Sequence, residues 1–213
     1  MSYVADAVRA LPASGVVMVG IDGIDGAGKT TFADELARVI SSSGRPLIRA
    51  TIDTFHKPRA ERYRRGPASP EGFFFDSHDL ACVRRVLLDP LRAGQRFRRA
   101  AFDVDADAPV DAPLESPRPG TVLVFDGIFL HRPQLREYWD LSVFLDGWDR
   151  VSRERSRWQP SGDVWSLLRW CRVVGRYEAG QRLYLELCRP ADLAAIVIDN
   201  NDLGAPTLVR GIV

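Results

Sequence analysis

Residues 16–36 read VVMVGIDGIDGAGKTTFADEL. An apolar, β-branched run gives way to glycines, then to a lysine and two threonines, and then to apolar residues at helical spacing. Gly23 to Thr30 fit the P-loop pattern of a glycine, any four residues and Gly-Lys-Thr. Each residue type has a reason. Glycines let the backbone turn its N–H groups inward around phosphate oxygens. The helix that follows points its positive end at the same anion. Gly23, Asp25, Gly26, Ala27, Gly28, Lys29, Thr30 and Thr31 thus form a candidate nucleotide cradle, Lys29 reaching the β- and γ-phosphates and the Thr30 hydroxyl a Mg²⁺ ion. A ligand-free glycine turn also meets the bare pattern, in about one chain per hundred of this length, but it has no need of a strand before it and an amphipathic helix after it. The lysine adds weight: the chain has 27 arginines and only two lysines, and one of the two stands where a compact point charge suits phosphate. Lys57, the other, reads as a solvated loop residue.

Outward from this stretch, short apolar runs alternate with helical patterns, which predicts an α/β fold with a parallel sheet. Strands are expected at 16–22, 47–52, 121–125, 141–145 and 194–198, a five-stranded parallel sheet flanked by helices. Phe32, Leu36, Val39 and Ile40 mark the first helix. Leu80, Val83, Leu87, Leu88 and Leu91 mark a second, and two more are expected within 149–158 and 164–187. The basic stretch 56–72 reads as a mobile loop. The acidic, proline-rich 103–120 reads as an excursion off the sheet after a short strand around 97–102. No repeat or linker divides the 213 residues, which are taken as one domain.

Bulk properties narrow the function. Hydrophobic residues make up 46% and charged residues 27%, as in a soluble globular protein, and a net charge of +1 argues against bulk attraction to nucleic acid or membrane. The run Val16–Val19 is far short of the ~20 residues that span a bilayer, and no basic segment precedes it as in a signal peptide. Cys82, Cys171 and Cys188 have no metal-ligand spacing and read as buried thiols of a cytoplasmic protein.

Two carboxylates complete the chemistry. VLVFDG (122–127) is an apolar strand ending in Asp126, the form of a Walker B element that holds Mg²⁺. Asp53 directly follows the second strand. In an open parallel sheet the strands' carboxyl ends share one edge, so Asp53, Asp126 and the P-loop should meet in one cleft. A carboxylate there can take a hydroxyl proton during phosphoryl transfer.

The P-loop, IDTFHK, FFFDSHD, FDGIFL and WDLSVFLD follow in the order seen in uridine kinases and the related phosphoribulokinase and pantothenate kinase group, and the chain resembles that group from about residue 15 to 203. The resemblance implies a P-loop NTPase fold, ATP with Mg²⁺, and a small nucleoside-like acceptor. It places Asp53 as general base, His56 at a tyrosine position beside it, Asp76 on ribose hydroxyls, and Phe102 where a base-contacting tyrosine stands. Residues 197–206, including Asn200, look like the adenine-side loop. Loops at about 54–78 and 96–120 would face the acceptor. The family's histidine after Tyr-Asp-Phe has no counterpart in DVDADAPVD, so the nucleobase, or whether one is needed, stays open. Arg150, Arg153 and Arg157 lie at helical spacings of three and four, with only Asp149 and Glu154 nearby to offset them. The resemblance makes about 149–162 a lid, with Arg153 and Arg157 on the transferring phosphoryl group and Arg176 near the acceptor. Self-association into a homo-oligomer is compatible with the sequence. Competing readings are a thymidylate kinase, whose Asp-Arg-Tyr and Arg-Glu-Pro-Gly elements are missing, a kinase for pantothenate, a sugar or nicotinamide riboside, and a non-catalytic nucleotide switch.

Overall fold

A computed structural model describes the backbone of residues 1–12, 14–151 and 164–212, and the side chains of these except 164–173. In chain order the strands are β1 (Val17–Gly23), β2 (Leu47–Thr51), the two-residue strands β3 (Phe102–Asp103) and β4 (Ala108–Pro109), β5 (Val122–Gly127), β6 (Leu141–Asp146), β7 (Ile196–Asp199) and β8 (Thr207–Arg210). The main sheet has the order β2-β5-β1-β6-β7-β8, and its five expected strands all pair in parallel. A sixth, β8, is added antiparallel at the edge. All four β8 residues are exposed, so no apolar alternation announced it.

Alternation along each strand sorts the core into two layers. Met18, Leu123 and Phe125 face one side, beneath Phe55, Phe73, Phe74, Phe129 and Tyr184. Val17, Val19, Ile21, Val122 and Val124 face the other, against Ala33, Leu36 and Ile40 of the helix that follows the P-loop. That layer also takes Val4, Ala5 and Val8 from an N-terminal helix, α1 (Ser2–Ala10), which the sequence pattern did not disclose. Among the described side chains, Cys82 and Cys188 are buried free thiols.

Among the described residues the helices after α1 are α2 (Lys29–Ser42), α3 (Arg59–Arg62), α4 (Pro70–Asp76), α5 (Leu80–Val83), α6 (Asp89–Arg92), the long α7 (Val164–Cys188) and the short α8 (Pro190–Leu193). Residues 56–72, expected as a mobile loop, are an ordered segment carrying α3 and the start of α4. Ser69 caps α4 by accepting the Gly72 N–H at 2.9 Å, with Pro70 in the first turn. The expected helix around 80–91 is present, with a wide π turn at Arg84–Leu88 between α5 and α6. Pro90 has no N–H for the Val86 carbonyl, and the Arg98 N–H takes it instead at 2.8 Å. The short strand expected around 97–102 reduces to a single Phe97–Glu115 bridge and β3. Most of the expected lid, 152–162, with Arg153 and Arg157, lies outside the described residues.

Candidate active site

Register brings the candidate residues to one edge. Asp126 of β5 is level with Ile21 of β1 on one side and Thr51 of β2 on the other. The P-loop leaves β1 two residues after Ile21, and Asp53 follows Thr51 by two.

The loop turns on Gly26 and Gly28, both at left-handed φ, +84° and +88°. Its carbonyls are held by side chains around it. Lys29 Nζ donates to the Ile24 carbonyl at 2.8 Å, Asn200 Nδ2 to Ala27 at 2.7 Å, and the Arg150 guanidinium to Gly26. Gln181 of α7 accepts the Asp25 N–H at 2.7 Å. No side chain among the described residues caps α2, whose first turn opens directly onto the loop, the arrangement that binds anions. Asn200, expected beside adenine, is buried behind the loop, and a Cβ on Gly28 would lie 3.0 Å from its Nδ2. Thr31 is exposed on the first turn of α2.

The Thr30 hydroxyl donates to Asp126 Oδ2 at 2.9 Å, and Asp126 is otherwise buried. A hydroxyl and a carboxylate oxygen converging in this way are the hard donors that Mg²⁺ prefers, so these two residues fit the ion that the family's chemistry implies. The other oxygen, Oδ1, is held at 2.9 Å by Arg49, whose Nε also binds Asp34 at 3.0 Å. Arg49 was not singled out from the sequence. Its signal was a charge inside the β2 run LIRAT, which in a buried strand demands a partner.

Asp53 sits on a 3₁₀ turn, Ile52–Phe55, that packs tightly against β5. Solvent reaches its carboxylate, yet protein atoms crowd around it, and this desolvation raises its pKa above the ordinary carboxylate value. His56 and Lys29 pull the other way, while Asp126 and Asp25 add to the rise. His56, half-buried, has Nδ1 2.8 Å from the Asp53 carbonyl. Asp76, at the end of α4, is buried and ion-paired with Arg65 at 2.8 Å and Arg64 at 3.7 Å. Phe102 is buried in the β3–β4 hairpin. Arg176 is also buried. Its guanidinium donates to the carbonyls of Arg62, Gly66 and Ser69, so it braces the 62–69 segment instead of reaching into the cleft.

A buried network anchors the end of β1, and it is invisible in the sequence because Asp22 lies more than 100 residues from both His131 and Tyr184. Asp22 accepts from the Gly23 N–H at 2.7 Å, from His131 Nδ1 at 2.5 Å and from the Tyr184 hydroxyl. His131 Nε2 is 3.1 Å from Ser142 Oγ on β6. Burial and the Asp22 charge hold the Tyr184 pKa well above its usual 10.0. The network joins β1, β6, the turn after β5 and α7, and so fixes where the P-loop begins.

The Phosphoribulokinase / Uridine kinase family pattern matches residues 18–156. The chain belongs to that family. A uridine kinase from Leuconostoc citreum (strain KM20) is 26% identical over 141 residues, 63% of this chain and 64% of that protein's own length. Among solved structures, one described as a possible uridine kinase from Bacillus stearothermophilus superposes with a TM-score of 0.74 at 22% identity, covering 92% of this chain and 95% of that one. A D-glycerate 3-kinase from Cryptococcus neoformans var. grubii gives 0.53 at 13% identity, covering 97% and 95%. At these identities the two structures show a shared fold, that of the P-loop kinases.

Proposed function

We propose that the chain is an ATP-dependent kinase that moves the γ-phosphoryl group to a hydroxyl of a small, nucleoside-like acceptor. The observation that carries this reading is the meeting of three parts at one sheet edge: the P-loop with Lys29, the Thr30–Asp126 oxygen pair at 2.9 Å, and Asp53 on its own turn.

In this reading the loop and the α2 N-terminus hold the phosphates, and Lys29 leaves the Ile24 carbonyl to meet them. Thr30 and Asp126 hold Mg²⁺, which neutralises charge on the phosphate oxygens when bound. Asp53 orients the acceptor hydroxyl and receives its proton. Its raised pKa strengthens it as a base. The transition state of phosphoryl transfer is loose, so positioning and electrostatics supply most of the rate. Arg153 and Arg157 are assigned to the phosphoryl group as lid residues, Asp76 and His56 to the acceptor. The Leuconostoc relative, a uridine kinase by name, supports the nucleoside class.

A second reading, an acceptor that carries a carboxylate or phosphate, is favoured by the arginines around Asp76. The Arg64 and Arg65 side chains are 71% and 49% exposed and outnumber the one carboxylate they share. ADP release over uridine, cytidine, sugars, nicotinamide riboside, thymidylate, pantothenate and glycerate, each against ATP alone, tests both. Stimulation by uridine or cytidine supports the first reading, and stimulation only by an anionic acceptor replaces it with the second. No release with any acceptor, alongside nucleotide binding, would favour a non-catalytic switch.

A further inference from the structure

Two of the chain's three histidines stand together at the acceptor edge. The Lys57 N–H donates to Ser77 at 3.0 Å and the Asp79 N–H to Phe55 at 2.9 Å, and this clip sets His56 directly opposite His78. Their ring centroids are 4.4 Å apart. Asp53, three residues before His56, joins them, and the three side chains each bring a potential ligand atom within 4.8 Å of the others.

Two features point to an occupant. The His56 Nδ1 contact is to a carbonyl oxygen, which only accepts, so Nδ1 carries the proton and Nε2 presents a lone pair. Metal-ligating histidines have their second nitrogen fixed in this way. His78 is 4% exposed, and its Nε2 has no hydrogen-bond partner among the described residues. A buried ring nitrogen left unpaired is costly and rare. Burial and nearby cationic groups hold the His78 pKa well below its usual value.

We propose that Asp53, His56 and His78 bind a divalent transition cation such as Zn²⁺, at a site separate from the oxygen-only Thr30–Asp126 pair. Two imidazoles and a carboxylate suit Zn²⁺, Co²⁺ or Ni²⁺, whereas Mg²⁺ favours all-oxygen shells. Three protein ligands leave one position for solvent. Occupation ties up the Asp53 carboxylate and stops it from taking a proton. This consequence rests on Asp53 being the base; the binding itself does not.

The probe is Co²⁺, titrated in excess Mg²⁺ and followed by visible absorption and equilibrium dialysis. The expected result is one Co²⁺ per chain with intense four-coordinate bands, displaced by Zn²⁺. His56→Asn and His78→Asn should each weaken binding at least about tenfold, the lower end of the loss seen even for outer-shell partners. Circular dichroism checks their folding. His56 is only half-buried, so His56→Asn remains the deciding variant if His78→Asn misfolds. Absence of Co²⁺ binding to the wild type, or unchanged binding in His56→Asn, overturns the site. Tight Zn²⁺ binding that leaves phosphoryl transfer unaltered overturns the inhibitory half. A chain that binds Co²⁺ as expected but phosphorylates no acceptor refutes the kinase reading and leaves the site standing.

Discussion

Gly127→Ala is the most informative single substitution. A Cβ at this position would lie 2.3 Å from Ile52 Cγ2, 2.6 Å from Ile52 Cβ and 3.3 Å from Leu130 Cδ2. The first of these is about 1 Å short of van der Waals contact. Ile52 has no room to give: it is fully buried and opens the 3₁₀ turn that carries Asp53. The turn must therefore move away from β5, or β5 must bend. Overpacking of this kind costs about 1–3 kcal/mol. In a chain of this size each kcal/mol lowers Tm by about 2–4 °C, so a fall of about 2–12 °C is expected in a thermal melt. A displacement of about 1 Å at the base should also lower turnover roughly 10²-fold. The clash is between β5 and the turn after β2, while the P-loop hangs from β1, so nucleotide binding should survive. Gly175→Ala is the control. Gly175 lies within α7 with nothing within 4 Å of its would-be Cβ, and alanine there should add about 0.5–1 kcal/mol. A Gly127→Ala melt within about 1 °C of wild type, with full turnover, would refute the claim that this glycine sets the position of Asp53.

Further outcomes follow from the same geometry. Asp53→Asn should lower kcat by about 10² with a good acceptor, as for loss of a general base, and unchanged turnover would remove that assignment. Lys29→Ala should abolish isotopic phosphoryl transfer while circular dichroism stays that of the wild type; a collapsed spectrum would mean that the Lys29–Ile24 bond holds the fold. Tyr184→Phe should cost about 1–3 kcal/mol at neutral pH, because the buried Asp22 carboxylate loses a donor. The Tyr184 pKa is raised in the fold, so the stabilisation is present below the unfolded value near 10.0 and is lost as pH rises above it. Wild-type Tm should therefore fall more steeply than that of Tyr184→Phe as pH rises above about 10; parallel curves would contradict this.

Short-range pattern made the fold legible. The five parallel strands were readable because each is a short, mainly apolar run, four of them buried on both faces and β2 at alternate residues, and α2 because its apolar face repeats at helical spacing. The P-loop, Asp126 and Asp53 were readable for a related reason: each stands at the carboxyl end of a strand, and a parallel sheet gathers those ends at one edge. Where the pattern was weak, the structure differed from it. β8 is fully exposed, α1 is short, and the order in 56–72 comes from Ser69, Pro70 and a guanidinium donated from position 176.

What the sequence by itself determined, then, is the donor half: a phosphate cradle between strand and helix, with a carboxylate level with it. Tertiary structure decided which partners those residues keep. Asn200 and Arg176 have polar side chains that local sequence could equally have sent toward a ligand, and the fold turns them onto backbone carbonyls. Arg49 takes one oxygen of Asp126, and Asp22 finds His131 and Tyr184 across 109 and 162 residues. His56 and His78 meet only through two backbone hydrogen bonds between separate segments. The reason is common to all of these. A buried polar group must be paired, and the partner is whichever group the chain's return path brings within about 3 Å, a distance that no local pattern encodes.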